Sequence, residues 1–289
     1  MAKPIRASRA KIADRINTLM GAERPLRELA GNVSKLAKYA IDEANSLTLE
    51  RVPIALPRLP KRLDGLKVIH LSDIHHSPLT GIDHIDRTVK IVNRLRPDMI
   101  VLTGDYVSHE TEFIEPVANS LGRLQAEFGV HACLGNHDHW TNADLVTETF
   151  RDAGVNMLVN EGFRLEARGA AFWVGGVDDH MVGKTDLPAA LKGSYPDEFK
   201  LLLAHNPIIF RHSVRNEVDL TLSGHTHGGQ VRVRDSSRRM IRRRRTAGLH
   251  KRRGSQIYIT RGIGTVVLPI RYQCPPEISL LELYCEDAA

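Results

Sequence analysis

Five short apolar runs in this chain each end in a polar loop carrying histidine, aspartate or asparagine, in most cases beside glycine. The loops read Ser72-Asp73-Ile74-His75-His76, Thr103-Gly104-Asp105-Tyr106, Gly135-Asn136-His137-Asp138-His139-Trp140, Ala204-His205-Asn206-Pro207 and Ser223-Gly224-His225-Thr226-His227-Gly228-Gly229. The runs at 67–71, 99–102 and 130–134 read as strands. Helical spacing separates them: 83–94, with Ile85, Val89 and Val92 on one face, then 115–128 and 142–153. Strand-helix-strand repetition predicts an α/β sheet with crossover helices. Sheets of that kind place their binding crevices beyond the carboxyl ends of the strands, so the five loops should converge on one edge. Beyond Val155 the spacing tightens, and strands are expected at 164–166, 171–177, 200–204, 220–223, 230–233, 256–260 and 278–284.

The side chains in these loops point to metal chemistry. Imidazole, carboxylate and one amide form a mixed nitrogen and oxygen set that suits zinc, manganese or iron, and the lack of thiolate argues against a closed structural zinc site. Asp73 with His75, and His225 with His227, stand two apart just beyond a strand, where a tight turn can aim both at one point. Glycines at 104, 135, 224, 228 and 229 permit such turns. Asp73, His75, Asp105, Asn136, His205, His225 and His227 are too many ligands for one ion and suit two ions sharing a carboxylate. His76 and His139, the extra histidines, read either as substrate-phosphate contacts or as solvated loop residues. Asp138 is expected to cap the following helix or bond locally, with orientation of a neighbouring histidine as the alternative.

Charge is unevenly spread over the 289 residues. The net +6 comprises +6 in residues 1–38 and +10 in residues 232–253, which leaves −10 on the remainder. Two basic zones on an acidic body imply anionic partners at defined places. The first fifty residues hold two amphipathic helical patterns, one with Ile12, Ile16, Leu19 and Met20, the other running from Leu26 to Leu47. The helical stripe reads as packing on the catalytic domain or another subunit and the arginine run as a solvated loop or a clamp for a polyanionic ligand, while both basic zones, taken as 1–50 and 232–253, are compatible with peripheral contact with an anionic membrane. Arginine without interleaved aromatics makes nucleic acid the weaker partner. Three prolines between Pro53 and Pro60 read as a linker, dividing a basic helical segment at 1–57 from a catalytic domain at 58–289. The apolar runs are too short to cross a bilayer, and the polar start lacks the apolar core of a secretory signal, so the expected location is cytoplasmic, at the inner face of the membrane if peripheral. Three widely spaced cysteines, Cys133, Cys274 and Cys285, read as reduced core residues.

The ordered set D-x-H, G-D, G-N-H-D, H and G-H-x-H resembles the calcineurin-like metallophosphoesterase superfamily from about Leu66 onward. The tail from Arg261 to Ile278, R-G-I-G-T-V-V-L-P-I-R-Y-Q-C-P-P-E-I, is similar to a bacterial branch of phosphodiesterases and UDP-2,3-diacylglucosamine pyrophosphatase-like enzymes. The resemblance implies a four-layer α/β/β/α sandwich of two mixed sheets, here preceded by the amphipathic helical segment. It implies two divalent metal ions, one held by Asp73, His75 and His227, the other by Asn136, His205 and His225, with Asp105 bridging. It also implies that His137 stabilises the transition state or protonates the leaving group while metal-activated hydroxide attacks phosphorus. The expected reaction is hydrolysis of a phosphodiester or pyrophosphate bond in a lipid-linked or nucleotide-sugar substrate. A nuclease or cyclic-nucleotide phosphodiesterase is the alternative, and the complete ligand set speaks against a non-catalytic scaffold. The run Gly104-Asp105-Tyr106-Val107-Ser108-His109-Glu110 departs from the G-D-x-V-D-R-G of protein phosphatases and argues against that activity.

Overall fold

Every side chain of β2 (Leu66–Leu71) and β3 (Met99–Thr103) except Lys67 is buried, so both faces of these strands are covered. Alternation along the strands assigns the faces. Val68 and Val101 enter one hydrophobic cluster, and Ile69, Leu71, Ile100 and Leu102 enter another. In β8 (Lys200–Leu203), Leu201 and Leu203 share the cluster of Val68, whereas Leu202 packs with Ile209 on the opposite side. One core therefore lies between two sheets and further cores lie between the sheets and their helices. That is the four-layer α/β/β/α sandwich expected from the sequence.

The computed structural model describes residues 34–231 and 246–286. Its first sheet runs β1 (Thr48–Leu56), β12 (Glu277–Cys285), β2, β3, β4 (Val130–Cys133), β5 (Asn156–Met157). Strands β2 to β5 are parallel, and β12 is antiparallel to β2. The second sheet runs β10 (Gly248–Arg252), β11 (Ser255–Ile259), β9 (Leu220–Ser223), β8, β7 (Ala170–Gly176), β6 (Glu161–Ala167), with a parallel centre and an antiparallel strand at each edge. Helices α2 (Ile82–Leu95), α3 (Ile114–Leu121) and α5 (Ala143–Asp152) pack residues such as Ile85, Val117 and Phe150 onto the first sheet. On the second, α6 (Leu187–Ala190) contributes Leu187 and α7 (Phe210–Arg215) contributes Phe210.

Several local expectations are corrected. The proline-bearing linker is a strand as far as Leu56: β1 pairs in parallel with β12 from Thr48 to Leu56 and buries Ile54 and Leu56 between the sheets. Pro53 is tolerated because β1 is an edge strand, whose outer side needs no donor. The long second helical pattern is seen as α1 (34–44), ahead of Asn45, which bonds back to the Ile41 carbonyl; residues 1–33, including the first pattern, lie outside the described residues. Helix α3 ends at Leu121 instead of 128. Gly122 follows, where a Cβ would strike the Ala153 carbonyl, so the chain turns at a close helix-to-loop approach. No strand forms at Gln230–Val231, where Val231 makes an isolated bridge to Tyr272; residues 232 and 233 lie outside the described residues. The end of the second basic zone is strand β10, paired with β11. All three cysteines are free, but only Cys133 and Cys274 are buried.

Because Ile54 is fully buried between the sheets, Ile54→Ala should cost about 2–4 kcal/mol in urea unfolding. A substitution in an exposed linker would stay within about 0.5 kcal/mol.

Candidate metal centre

The five loops leave the carboxyl ends of β2, β3, β4, β8 and β9, and the facing of the two sheets brings them to one edge of the sandwich. Backbone pairing continues past β2 and β3. Asp73 N–H donates to the Gly104 carbonyl, His75 N–H to Asp105 and His76 N–H to Tyr106. That extension holds Asp73 and His75 beside Asp105. Five of the seven sequence-predicted ligands have left-handed backbone: Asp73 (φ 52°), His75 (50°), Asp105 (56°), His225 (71°) and His227 (49°). Such conformations cost about 1–3 kcal/mol each and persist only where the surroundings enforce them.

Enforcement comes partly from Asp138, on the short helix α4 (Asn136–Thr141). Its carboxylate accepts the N–H groups of Asp105, Tyr106 and Gly135, each at 2.8 Å, tying the loop after β3 to the loop after β4. Burial, then the Asp105 carboxylate, push Asp138 up to about 7. The two loops approach so closely that a Cβ on Gly135 would overlap the Asp105 carboxylate.

Three groups of side chains come together, each with ligand atoms within 4.8 Å of one another: Asp73, His75 and His227; His75, Asp105 and His137; Asp105, His205 and His225. Asn136 Oδ1 joins the third, 3.0 Å from His225 Nδ1. Neighbouring donor atoms stand 3.1 Å apart at His75 and His227, 3.3 Å at His227 and Asp73, 3.5 Å at His75 and Asp105, 3.1 Å at His205 and Asp105, and 3.2 Å at His205 and His225. Donors roughly 2.0–2.2 Å from a common cation stand about 2.8–3.6 Å from each other at tetrahedral to octahedral angles. The residues therefore fit a divalent cation. Two features outside the cluster agree. His205 Nδ1 donates to the Thr103 carbonyl at 2.7 Å, and His137 Nδ1 to the Ser108 carbonyl at 3.0 Å, which leaves each Nε2 facing inward.

Electrostatics prepare the same donors. Burial pushes His75 down to about 3 and lowers His225 and His227, so these imidazoles are neutral. Burial acts to raise Asp73 and Asp105, but the histidines beside them, His227 foremost for Asp73 and His205 for Asp105, hold both carboxyls below the usual range. His205 goes the other way: burial opposes its charge, and Asp105 overcomes burial and lifts it to about 10.

The extra histidines do not join the cluster. His76 Nδ1 donates to the Thr80 carbonyl within its own turn, and its ring packs on Phe113. His139 pairs with Asp178. Asp178 and its neighbour Asp179 are site-edge residues missed in the sequence. They follow β7 in the run Val174-Gly175-Gly176-Val177-Asp178-Asp179, the same apolar-strand-then-acid signature as the loops after β2 and β3. Asp179 is 1% exposed and its Oδ2 has no partner among the described residues. Ser108 was also missed: its hydroxyl lies 3.4 Å from His75 Nδ1 while its carbonyl holds His137.

A strand-end cluster of imidazoles and carboxylates on a four-layer sandwich defines a metal-dependent phosphoester hydrolase. The calcineurin-like phosphoesterase family matches residues 66–229, and the chain belongs to it. It is 32% identical over 225 residues to the phosphodiesterase YaeI of Escherichia coli, covering 75% of this chain and 82% of that protein. It is 30% identical over 232 residues to the uncharacterized metallophosphoesterase YkuE of Bacillus subtilis, covering 78% and 81%. It is 34% identical over 209 residues to a Bos taurus transmembrane protein with a metallophosphoesterase domain, covering 66% of this chain and 47% of that protein, so the chain spans about half that relative's length. Among the described residues, no helix is long and apolar enough to cross a membrane.

Gly135→Ala should force the Asp105 carboxylate aside at an otherwise ordinary backbone angle. We expect a loss of about 1–3 kcal/mol of stability from overpacking, together with a fall in metal bound per chain, read by calorimetric titration with Mn²⁺.

Proposed function

We propose that the cluster binds two divalent metal ions and hydrolyses phosphodiester or pyrophosphate bonds. Asp73, His75 and His227 would hold one ion, Asn136, His205 and His225 the other, and Asp105 would bridge them. The observation that carries this reading is the placement of Asp105 Oδ2, 3.5 Å from His75 Nε2 and 3.1 Å from His205 Nε2, one imidazole from each group. When bound, two such ions supply charge for the phosphoryl oxygens and a hydroxide nucleophile at neutral pH; manganese, zinc and iron all suit the donors.

The chain's own residues do the rest. Asp138 and the strained loops fix the donors before substrate arrives, so no reorganisation is needed at the moment of reaction. His137 is placed by three contacts: its N–H on Asp105 Oδ1 at 2.9 Å, its Nδ1 on Ser108, and its ring edge-on to His75 at 4.7 Å. Its Nε2 would stabilise the transition state or give a proton to the leaving oxygen. His76 and His139 are assigned by this reading to the shell that supports substrate.

The substrate class favoured is a lipid-linked or nucleotide-sugar phosphoester. Peripheral contact with an anionic membrane through 1–50 and 232–253 would bring the site to such a lipid. A nuclease or cyclic-nucleotide phosphodiesterase is the second reading, favoured by Trp140, which is 52% exposed with its ring 4.6 Å from His137 and offers a face on which a base could stack.

The protein loaded with Mn²⁺ should hold close to two ions per chain and turn over bis-p-nitrophenyl phosphate. One ion per chain with full turnover would overturn the paired centre, and inert, metal-free protein after supplementation with manganese, zinc and iron would overturn the reading altogether. His137→Ala should lower kcat by about 10²–10⁴-fold with metal content unchanged. Full turnover of an unactivated diester by that variant would remove the assigned role.

A further inference from the structure

We infer that the rim beside the metal centre formed by α1, the turn at 77–80 and the loop at 265–270 is a docking surface for an anionic lipid bilayer. The inference deepens the membrane-contact reading above by naming the face that would meet the lipid.

Six large apolar side chains project from this rim: Leu36, Tyr39 and Ile41 from α1, Leu79 from the turn, and Val267 and Leu268 from the loop. Val267 is 83% exposed. It is also β-branched with φ 66°, a conformation that side chains of this shape rarely adopt. Nothing in the described fold repays its position by burial. The segments are tied to one another. Thr265 N–H donates to Thr80 Oγ1, and Gln230 Nε2 donates to the carbonyls of Val266 and Leu268. Arg271 N–H donates to the Ala40 carbonyl of α1, and the rings of Tyr39 and Tyr272 meet edge-on. The helix docks through Ala40, Glu43 and Ala44, while Leu36, on the same stripe one turn before Ala40, is left exposed.

Charge identifies the occupant. Lys35 and Lys38 are exposed on α1. The described chain stops after Val231, which bridges Tyr272, and resumes at Thr246, whose carbonyl accepts from Thr226 Oγ1; the intervening sequence at 232–245 contains eight arginines and one aspartate. Residues 1–33, which lead into α1, carry seven Lys/Arg against three Asp/Glu. Apolar tips flanked by cations match an anionic interface, where the tips enter the acyl boundary and the cations meet the headgroups. A second copy of the chain on the same face would bring two such basic tracts together, which like-charge repulsion opposes.

Sedimentation of the full-length chain with vesicles tests this. Phosphatidylcholine vesicles containing phosphatidylglycerol should capture the protein, pure phosphatidylcholine should capture far less, and added salt should weaken capture. The triple variant Leu79→Glu, Val267→Glu, Leu268→Glu should lose capture about ten-fold or more, and the milder pair Val267→Ser, Leu268→Ser should lose part of it. All three sites are exposed, so melting and bis-p-nitrophenyl phosphate turnover should match the parent. Capture of the variants equal to the parent's would overturn the proposal. So would a parent that stays in the supernatant, or a parent dimer that the substitutions dissociate while vesicles bind neither. Vesicle capture by a chain that hydrolyses nothing would uphold the surface and discard the phosphoesterase reading alone, so the two failures are distinct.

Discussion

One carboxylate, Asp105, is the constraint on which the centre depends. One of its oxygens accepts the His137 N–H, and the other faces both His75 and His205. Those histidines come from different sheets, so Asp105 stitches the two strand edges at the place where the sandwich opens. Its position follows from backbone, not from side-chain rotamers: a left-handed Asp105 between Gly104 and Tyr106, with its own N–H and the next held by Asp138. Left-handed backbone at five cluster residues is sustained because strands buried on both faces leave the loops no room to relax. The stability of the double-sheet core is thus what allows the strained loops to exist.

A buried cluster of this kind has a marked charge demand. Asp73 and Asp105 are held ionised, Asp179 acts on His205 and His225 without a hydrogen-bond partner for its Oδ2 among the described residues, and most of the nearby imidazoles are pushed towards neutrality. In the protein alone, His205 answers that demand by taking a proton, which is why its pKa rises to about 10 while its neighbours fall. A divalent cation would answer it better, at the cost of that proton.

The chemistry was legible in sequence because each ligand pair lies within a few residues of a strand end, and glycine marks the turns. The sheets were legible because β-branched and leucine-rich runs alternate with helical spacing. What was hidden depended on long-range partners. Pro53 looked like a breaker until β12 was seen to pair with only one side of β1. The end of α3 is set by Gly122 meeting Ala153, thirty-one residues on. Strand β10 sits in a basic run whose composition suggested only a solvated or ligand-binding loop, and it forms because β11 offers an edge. Asp178 and Asp179 carried the right local pattern, with His180 next in the chain at the same offset beyond β7 as His75 beyond β2, but their place at the site edge rests on the long-range pairing of Asp178 with His139.

The C-terminal tail joins the centre to its rim. Arg271 is fully buried, and its guanidinium donates to the carbonyls of Arg261, Gly262, Gly264 and Cys274 with no carboxylate among those acceptors. Burial lowers its pKa, and Asp73, across the 262–264 backbone, is one of the groups that hold the charge in place. That backbone lies directly on the metal centre: Gly264 N–H donates to the Asp73 carbonyl, Ile263 N–H to Ser72, and a Cβ on Gly262 would press against Asp73. The glycines of R-G-I-G are needed for this approach, and Arg271 closes the loop that makes it. Between the two ends of that closure lie Val267 and Leu268. The exposed apolar tips are therefore mounted on the same staple that positions Asp73, so whatever seats the tips is held at a fixed distance and angle from the reacting edge. A rim built this way would orient whatever docks on it without any of its own residues entering the chemistry.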